Sequence, residues 1–442
     1  MSFIHIFLFL FTIIFVLGIL KYVGTPINEV NFISPFIISY LVFSYIGFPL
    51  IYSPSSRYVI EENINNINTL NYTFILSSLS IIVLIFSYAF TLVISKTKKL
   101  SSNYKLEINY LKSNQLVIIF IVLIISIYFL FVYINAIPSL GIMNLFLGDS
   151  SQELGLARSN ATNALDKAWR YQFLPGKMIP FLSYCLIIQN HKEKKYIIKF
   201  LMITTISVSV FYCIMNLMKG PLLFYLWSIL FLNNFLNNKK FNLKTIILFS
   251  LLALTFIVFL VWAITQSTFD SVLEGVLNRI FSGSLMAGYF HVEIFPKIHD
   301  YLYGSTMPNP SHIFPFEVFE LTKYVSYYIF SASSNGAVGS APGPFWAELY
   351  ANFGIPGVML GSSLIGTIFG FFHIFFKKLK PNVYYIALFI FIAFELREIS
   401  TSGFFTFFFP LKIVLIIVFS YILRFRFIKK NRKYETNFIK KR

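Results

Sequence analysis

The chain is poor in charge. Of its 442 residues only 12% are Asp, Glu, Lys or Arg, about half the roughly 25% usual in a soluble domain. That deficit excludes an ordinary soluble globular protein and points to a polytopic membrane protein, whose spans need long stretches nearly free of charge. Acids are scarcer than bases, 18 against 36. Cysteine is almost missing. Cys185 and Cys213 both lie in apolar runs, which argues against a disulfide framework and against a metal centre built on thiolates. The sequence also shows no internal repeat and no soluble catalytic domain.

What is present is apolar and aromatic. Hydrophobic residues make up 57% of the chain, with 54 Phe and 27 Tyr. Phenylalanine fills hydrocarbon, and tyrosine suits the interface where its hydroxyl stays wet. Eleven apolar segments are legible, at 2–20, 32–52, 72–94, 116–134, 173–189, 197–217, 221–235, 245–265, 355–376, 383–394 and 404–423. Most approach the ~20 residues a spanning helix needs. The runs from Pro221 and Val383 are short. No cleavage site of the Ala-x-Ala kind follows the first segment, so it is expected to be a retained span. The expected fold is an all-α polytopic integral membrane protein with about 11 transmembrane helices, the whole of 1–442 forming one transmembrane domain.

Lysine and arginine set the expected orientation. With the N-terminus outside, the inner loops take Lys21, five bases at 96–112, four at 192–199, three at 239–244 and three at 377–380. The basic tail at 424–442 adds nine. Only four acids (Glu29, Glu107, Glu193 and Glu435) share that side. The opposite orientation inverts every loop. The C-terminus is therefore expected in the cytoplasm. The net charge of +18 reflects membrane topology, and no nucleic-acid partner is expected. Two outer regions are large. One spans 135–170 and is expected to carry an amphipathic helix. The other spans 266–354, with a further amphipathic helix at 269–281.

The few cations on the outer side stand out because the positive-inside bias disfavours them. They include Arg158, Arg170, Lys177, Lys219, Arg279 and Arg397. Each can snorkel to headgroups or pair with a neighbouring acid, and Arg397 lies between Glu395 and Glu398. As a set they suit a polyanion at the membrane surface, since arginine forks grip phosphate oxygens and lysine adds a point charge. Lys219 precedes Gly220 and Pro221, which places it at a helix N-terminus, where an anion is favoured.

The stretch "GSAPGPFWAELYANFGIPGVMLG" combines backbone punctuation with one carboxylate. Pro344 can open a short helix. Glu348 and Asn352 then share one face, and Trp346 and Tyr350 another. Gly354 fits a helix stop, and Pro356 a restart. Gly357/Gly361 and Gly366/Gly370 carry the small-residue spacing of close helix contact. The expected unit is a short interfacial helix pinned to a tightly packed span. Its Glu348 is open to two roles, an ion-pair partner or a catalytic base.

"PFWAELYANFGIPGVMLG" resembles the E-x-Y-x-N-F-G-x-x-G signature of bacterial oligosaccharide repeat-unit polymerases, the Wzy-type O-antigen and capsule polymerases. "RIFSGSLMAGYFHVEIFP" resembles the arginine-bearing segment of that family's large outer loop, and "MKGPLL" a short turn that often holds arginine where this chain has Lys219. The resemblance covers about a fifth of the chain. It implies a metal-independent glycosyltransferase, without cofactor, that moves a growing glycan from undecaprenyl diphosphate onto a lipid-linked repeat unit at the outer face of the bacterial cytoplasmic membrane. It also implies a chain-length regulator protein as a partner, besides the lipid bilayer. In that chemistry Glu348 is the candidate base. Arg279, Arg158 and Lys219 are candidates for the diphosphates, with Arg397 and Lys177 behind them. Asn352 is held beside them, and Trp346 and Tyr350 either stack on sugars or anchor the interface.

An O-antigen ligase shares the donor, but ligases of that type tend to carry a histidine just before the glutamate element, where this chain reads "GPFWAEL". A flippase or other transporter is expected to show repeats and mid-span charges. Glu61 and Glu62 lie in an Asn-rich loop, and His291, His299 and His312 lack ligand spacing, so no metal site is expected. His291 is a second base candidate.

Overall fold

The computed structural model describes residues 2–53, 64, 66–95, 110–137, 140, 143, 169–215, 219–240, 268–309, 312–330, 339–379, 382–405 and 411–422, with isolated positions between 251 and 262. Every extended element among them is helical. In chain order these are α1 (Phe3–Tyr22), α2 (Ser34–Ser44), α3 (Phe48–Ile51), α4 (Ile67–Ile94), α5 (Ser113–Ala136) and α6 (Trp169–Phe173). A π-helical turn, Leu174–Met178, leads into α7 (Ile179–Lys192), α8 (Tyr196–Met215) and α9 (Lys219–Leu236). Then come α10 (Phe269–Phe281), α11 (Gly283–Ile294), α12 (Leu321–Phe330), α13 (Phe345–Lys378), α14 (Val383–Arg397) and α15 (Ile399–Ser402). The last is α16 (Leu411–Ile422).

Among the described residues, six helical stretches are long and apolar enough to cross a membrane: α1, α2 with α3, α4, α5, α8 and α13. The chain is a helical protein built for a bilayer. Two shorter apolar helices, Gly220–Leu236 and Leu411–Ile422, accompany them. The expected span at 245–265, the helix at 135–170 and the tail at 424–442 lie wholly or mostly outside the described residues.

Loops expected on one side share one end of the bundle. Lys240, after α9, pairs with Glu29 of the α1–α2 loop at 2.8 Å. Lys192, at the end of α7, sits 4.2 Å above the Tyr110 ring, and Gln189 accepts from the Leu111 N–H. α7 and α9 run parallel, Ser183 meeting Tyr225 and Tyr184 meeting Ser228, so both loop pairs lie at the same end.

The most extensive packing is between α4 and α13. Past the break at Gly354 they run parallel, from Ser87 against Ser363 to Thr91 against Gly370. Gly366 permits this approach: a Cβ there would lie 2.1 Å from the Leu84 carbonyl oxygen. Gly357 and Gly361 serve differently from the close contact between spans expected of their spacing. Their missing side chains seat Leu349 and Phe353 of the same helix. The reason is Gly354, whose φ of 64° breaks α13 and folds residues 345–353 back on the span. Only glycine visits that region without strain.

The folded-back arm is largely packed into the protein. Phe345, Trp346, Ala347, Ala351 and Asn352 are fully buried. The large 266–354 region covers them. The amphipathic α10 forms over the expected residues. α11, by contrast, is buried along nearly its whole length and packs on α13, α4 and α2.

Candidate functional site

Two polar groups stand out within this apolar bundle. The first surrounds Glu348. Its Oε2 accepts the backbone N–H of Phe404 and that of Phe405, the latter at 3.0 Å. Asn352, one helical turn on, donates from Nδ2 to the Glu348 carbonyl at 2.8 Å and to Thr306 Oγ1 at 2.9 Å. Its Oδ1 accepts the Gly304 N–H at 2.8 Å. The Thr306 hydroxyl lies beside the Glu348 carboxylate. Glu348 and Asn352 thus share a face, as their spacing predicts, but the face is turned onto the 302–306 loop and the 403–405 turn. Asn352 holds backbone together, so its role here is to shape the arm.

The second group is ionic and lines a small cleft of about 70 Å³ between the π-turn, α7, α8, α9 and α14. Lys177 Nζ lies 2.5 Å from Glu395 Oε1 and 3.9 Å from Glu398 Oε1. Arg397 Nη2 is 3.5 Å from Glu398. Its guanidinium carbon sits 3.3 Å from the centroid of the Phe224 ring, a cation–π stack. Arg397 is only 3% exposed, and its Nε has no hydrogen-bond partner among the described residues. Tyr184, Tyr225, Ser209 and Cys213 complete the polar lining.

Local sequence explains the placement. Pro175 and Gly176 lie within the π-turn, a widened turn often found at functional sites. Gly176 lets the turn press on Tyr212 of α8, since a Cβ there would lie 2.8 Å from that ring. Glu395 and Glu398 are three apart at the end of α14 and face the same way. The i, i+3 pair was visible in the sequence as partners for Arg397, but Glu395 goes to Lys177. That assignment depends on a contact 218 residues away.

The other predicted residues are dispersed. Lys219 heads α9, two residues before Pro221 of the cleft wall; its side chain lies outside the described set, as does all of Arg158. Arg279 is exposed in the last turn of α10 and is absent from the cleft lining. Trp346 presents no face to a sugar or to the interface, because it is fully buried and its ring packs on Gly288. Tyr350 is buried edge-on between Tyr72 and Tyr301, at centroid separations of 5.8 and 6.0 Å. Both rings are core because α11 and the 301–306 loop close over them. Among the described residues, His, Cys, Asp and Glu nowhere form a group of three that could hold a metal ion.

His291, on α11 and outside the candidate spans, is 1% exposed. Its Nδ1–H donates to the Ala287 carbonyl at 2.6 Å. Burial pushes its pKa from 6.5 down to about 4. It is therefore neutral when folded, and the unfolded chain binds the extra proton between those values. Stability is complete above about pH 6.5 and falls by at most about 3 kcal/mol as pH drops toward 4. Thermal unfolding in detergent across that window should show the slope, and His291→Gln should make it shallower. An unchanged slope in the variant would assign it to another group.

Comparison with known proteins finds no matching family model, no similar curated protein and no similar solved structure.

Proposed function

We propose that the chain is a glycan polymerase of the bacterial cytoplasmic membrane, working on lipid-diphosphate-linked oligosaccharides at the Lys177–Arg397 cleft. The observation that carries this reading is the ionic quartet Lys177, Glu395, Arg397 and Glu398 packed among apolar helices, with Arg397 buried and the other three half-buried. Ionisable groups at such depth are expensive and mark functional pathways. The likeness of "PFWAELYANFGIPGVMLG" to the polymerase signature supports the substrate class. The proposal includes eleven spans, the N-terminus outside and the cleft at the outer face.

In this reading the acceptor hydroxyl oxygen attacks the anomeric carbon of the donor glycan. The bond from that carbon to the carrier diphosphate breaks, and the diphosphate leaves with the electron pair. Arg397 and Lys177 stabilise the growing negative charge. The hydroxyl proton passes to a carboxylate of the cleft. Glu395 is held at 2.5 Å by Lys177, which leaves Glu398, 24% exposed, as the acceptor. Glu348 is already committed to backbone donors, so the base role moves from it to Glu398.

Complementation of a polymerase-deleted strain tests this. The native chain should restore a glycan ladder, and Arg397→Ala should leave a single capped repeat at equal protein level. A full ladder from Arg397→Ala would remove the cleft from the mechanism. A transporter is the second reading, favoured by the burial of the Lys177–Glu395 pair inside the bundle. Vesicles fed lipid-linked repeat units separate the two: a transporter moves them without lengthening the glycan.

A further inference from the structure

Glu348 is the carboxylate that a reader of the sequence assigns to chemistry, yet its geometry serves another purpose. The chain between the cleft and Glu348 is short and anchored at every turn. Arg397 ends α14, and the Glu398 carbonyl accepts the N–H groups of Thr401 and Ser402 at 3.0 Å each. Ser400 of α15 is tied to α2 twice. Its carbonyl accepts from Ser44 Oγ at 2.6 Å, and its own hydroxyl donates to Ser39 Oγ at 3.0 Å. Gly403 then reverses the chain at φ 88°. A Cβ there would lie 2.5 Å from Glu348 Oε2, so glycine is needed both for the turn and for the carboxylate to reach past it. The next two N–H groups, of Phe404 and Phe405, are the ones Glu348 accepts.

We infer that Glu348 is a positioning residue: its carboxylate latches the 403–405 turn to the folded-back arm of α13 and thereby fixes Arg397 and Glu398 at the cleft. Three observations agree. The backbone donors point at one oxygen of a side chain that is only 7% exposed. The arm is held in place by Gly354 and by Leu349 against Gly361. Asn352 and Thr306 pin the same arm from its other side. Buried N–H groups left without an acceptor are costly, so the latch has a clear reason to exist without proton transfer. The effect on glycan synthesis rests on the polymerase reading above; the latch itself does not.

A base and a latch respond differently to one substitution. Glu348→Gln keeps an amide oxygen for the two N–H groups and places its NH₂ toward Thr306 Oγ1, but it cannot take up a proton. Glu348→Ala removes the acceptor, and Gly403→Ala obstructs it. The structural readout is the labelling rate of Thr401→Cys by a maleimide in detergent, in a Cys185→Ala background, with the same background lacking Thr401→Cys giving the share owed to the buried Cys213. Losing the acceptor should raise that rate by about tenfold or more, the equivalent of a charged hydrogen bond. The Gln chain should stay near the parent. The second readout is the glycan ladder, which should follow the labelling rate across all four chains. Unchanged labelling in Glu348→Ala would overturn the latch. A Gln chain that labels like the parent but makes no ladder would also overturn it, by showing that the ionisable group itself is required. Absence of a ladder from the parent chain counts against the polymerase reading, and the labelling arm still decides the latch.

Discussion

Lys177→Met should destabilise the protein by about 3–5 kcal/mol, because it leaves Glu395 charged, buried and without its partner. The two side chains are 20% and 13% exposed, so solvent does little to screen the loss. A cost of that size is a large share of the 5–15 kcal/mol that keeps a typical domain folded. The matching expectation concerns the pair. Lys177→Met with Glu395→Met replaces two charges by apolar groups of similar length, a swap that is often neutral. The double variant should recover most of the lost thermal stability in detergent, giving a coupling energy of at least about 2 kcal/mol. Under the proposed function it should not recover glycan synthesis, since the cleft then lacks the lysine assigned there to the leaving diphosphate. Additive costs from the two single changes would mean that the side chains do not depend on one another.

Gly366→Ala should be nearly as damaging, for a steric reason. The added methyl meets the Leu84 carbonyl oxygen at 2.1 Å and the Tyr88 nitrogen at 3.1 Å. These are backbone atoms of α4 and cannot rotate away. Overpacking a tight contact costs about 1–3 kcal/mol, and more where neighbours are rigid. Here α4 and α13 must separate along their whole shared length. The internal control is Gly18, whose Cβ would meet nothing within 4 Å; Gly18→Ala should be neutral or slightly stabilising, as a helix interior favours alanine. Folded protein recovered after mild heating, read by size-exclusion chromatography, compares the two. Equal recovery would show that α4 and α13 do not approach as closely as described.

Class was legible in the chain before any packing was known. The scarcity of charge, the long apolar runs and the grouping of lysine between runs all bear on solvent, and solvent acts on each segment separately. The helix stop at Gly354, the restart at Pro356 and the amphipathic 269–281 stretch were legible for the same reason. They follow from backbone freedom and local period, which need no partner. The close contact of Gly366 and Gly370 with another span was also readable, though not which span.

Composition and periodicity by themselves determined that this protein is helical, apolar enough for a bilayer, and interrupted at Gly354. Only the tertiary structure decided that Glu395 goes to Lys177, that Trp346 and Tyr350 are core, and that Glu348 spends its oxygen on Phe404 and Phe405. Those outcomes depend on which distant segments close over a side chain. A carboxylate reads the same in sequence whether water, a lysine or two backbone amides complete its shell.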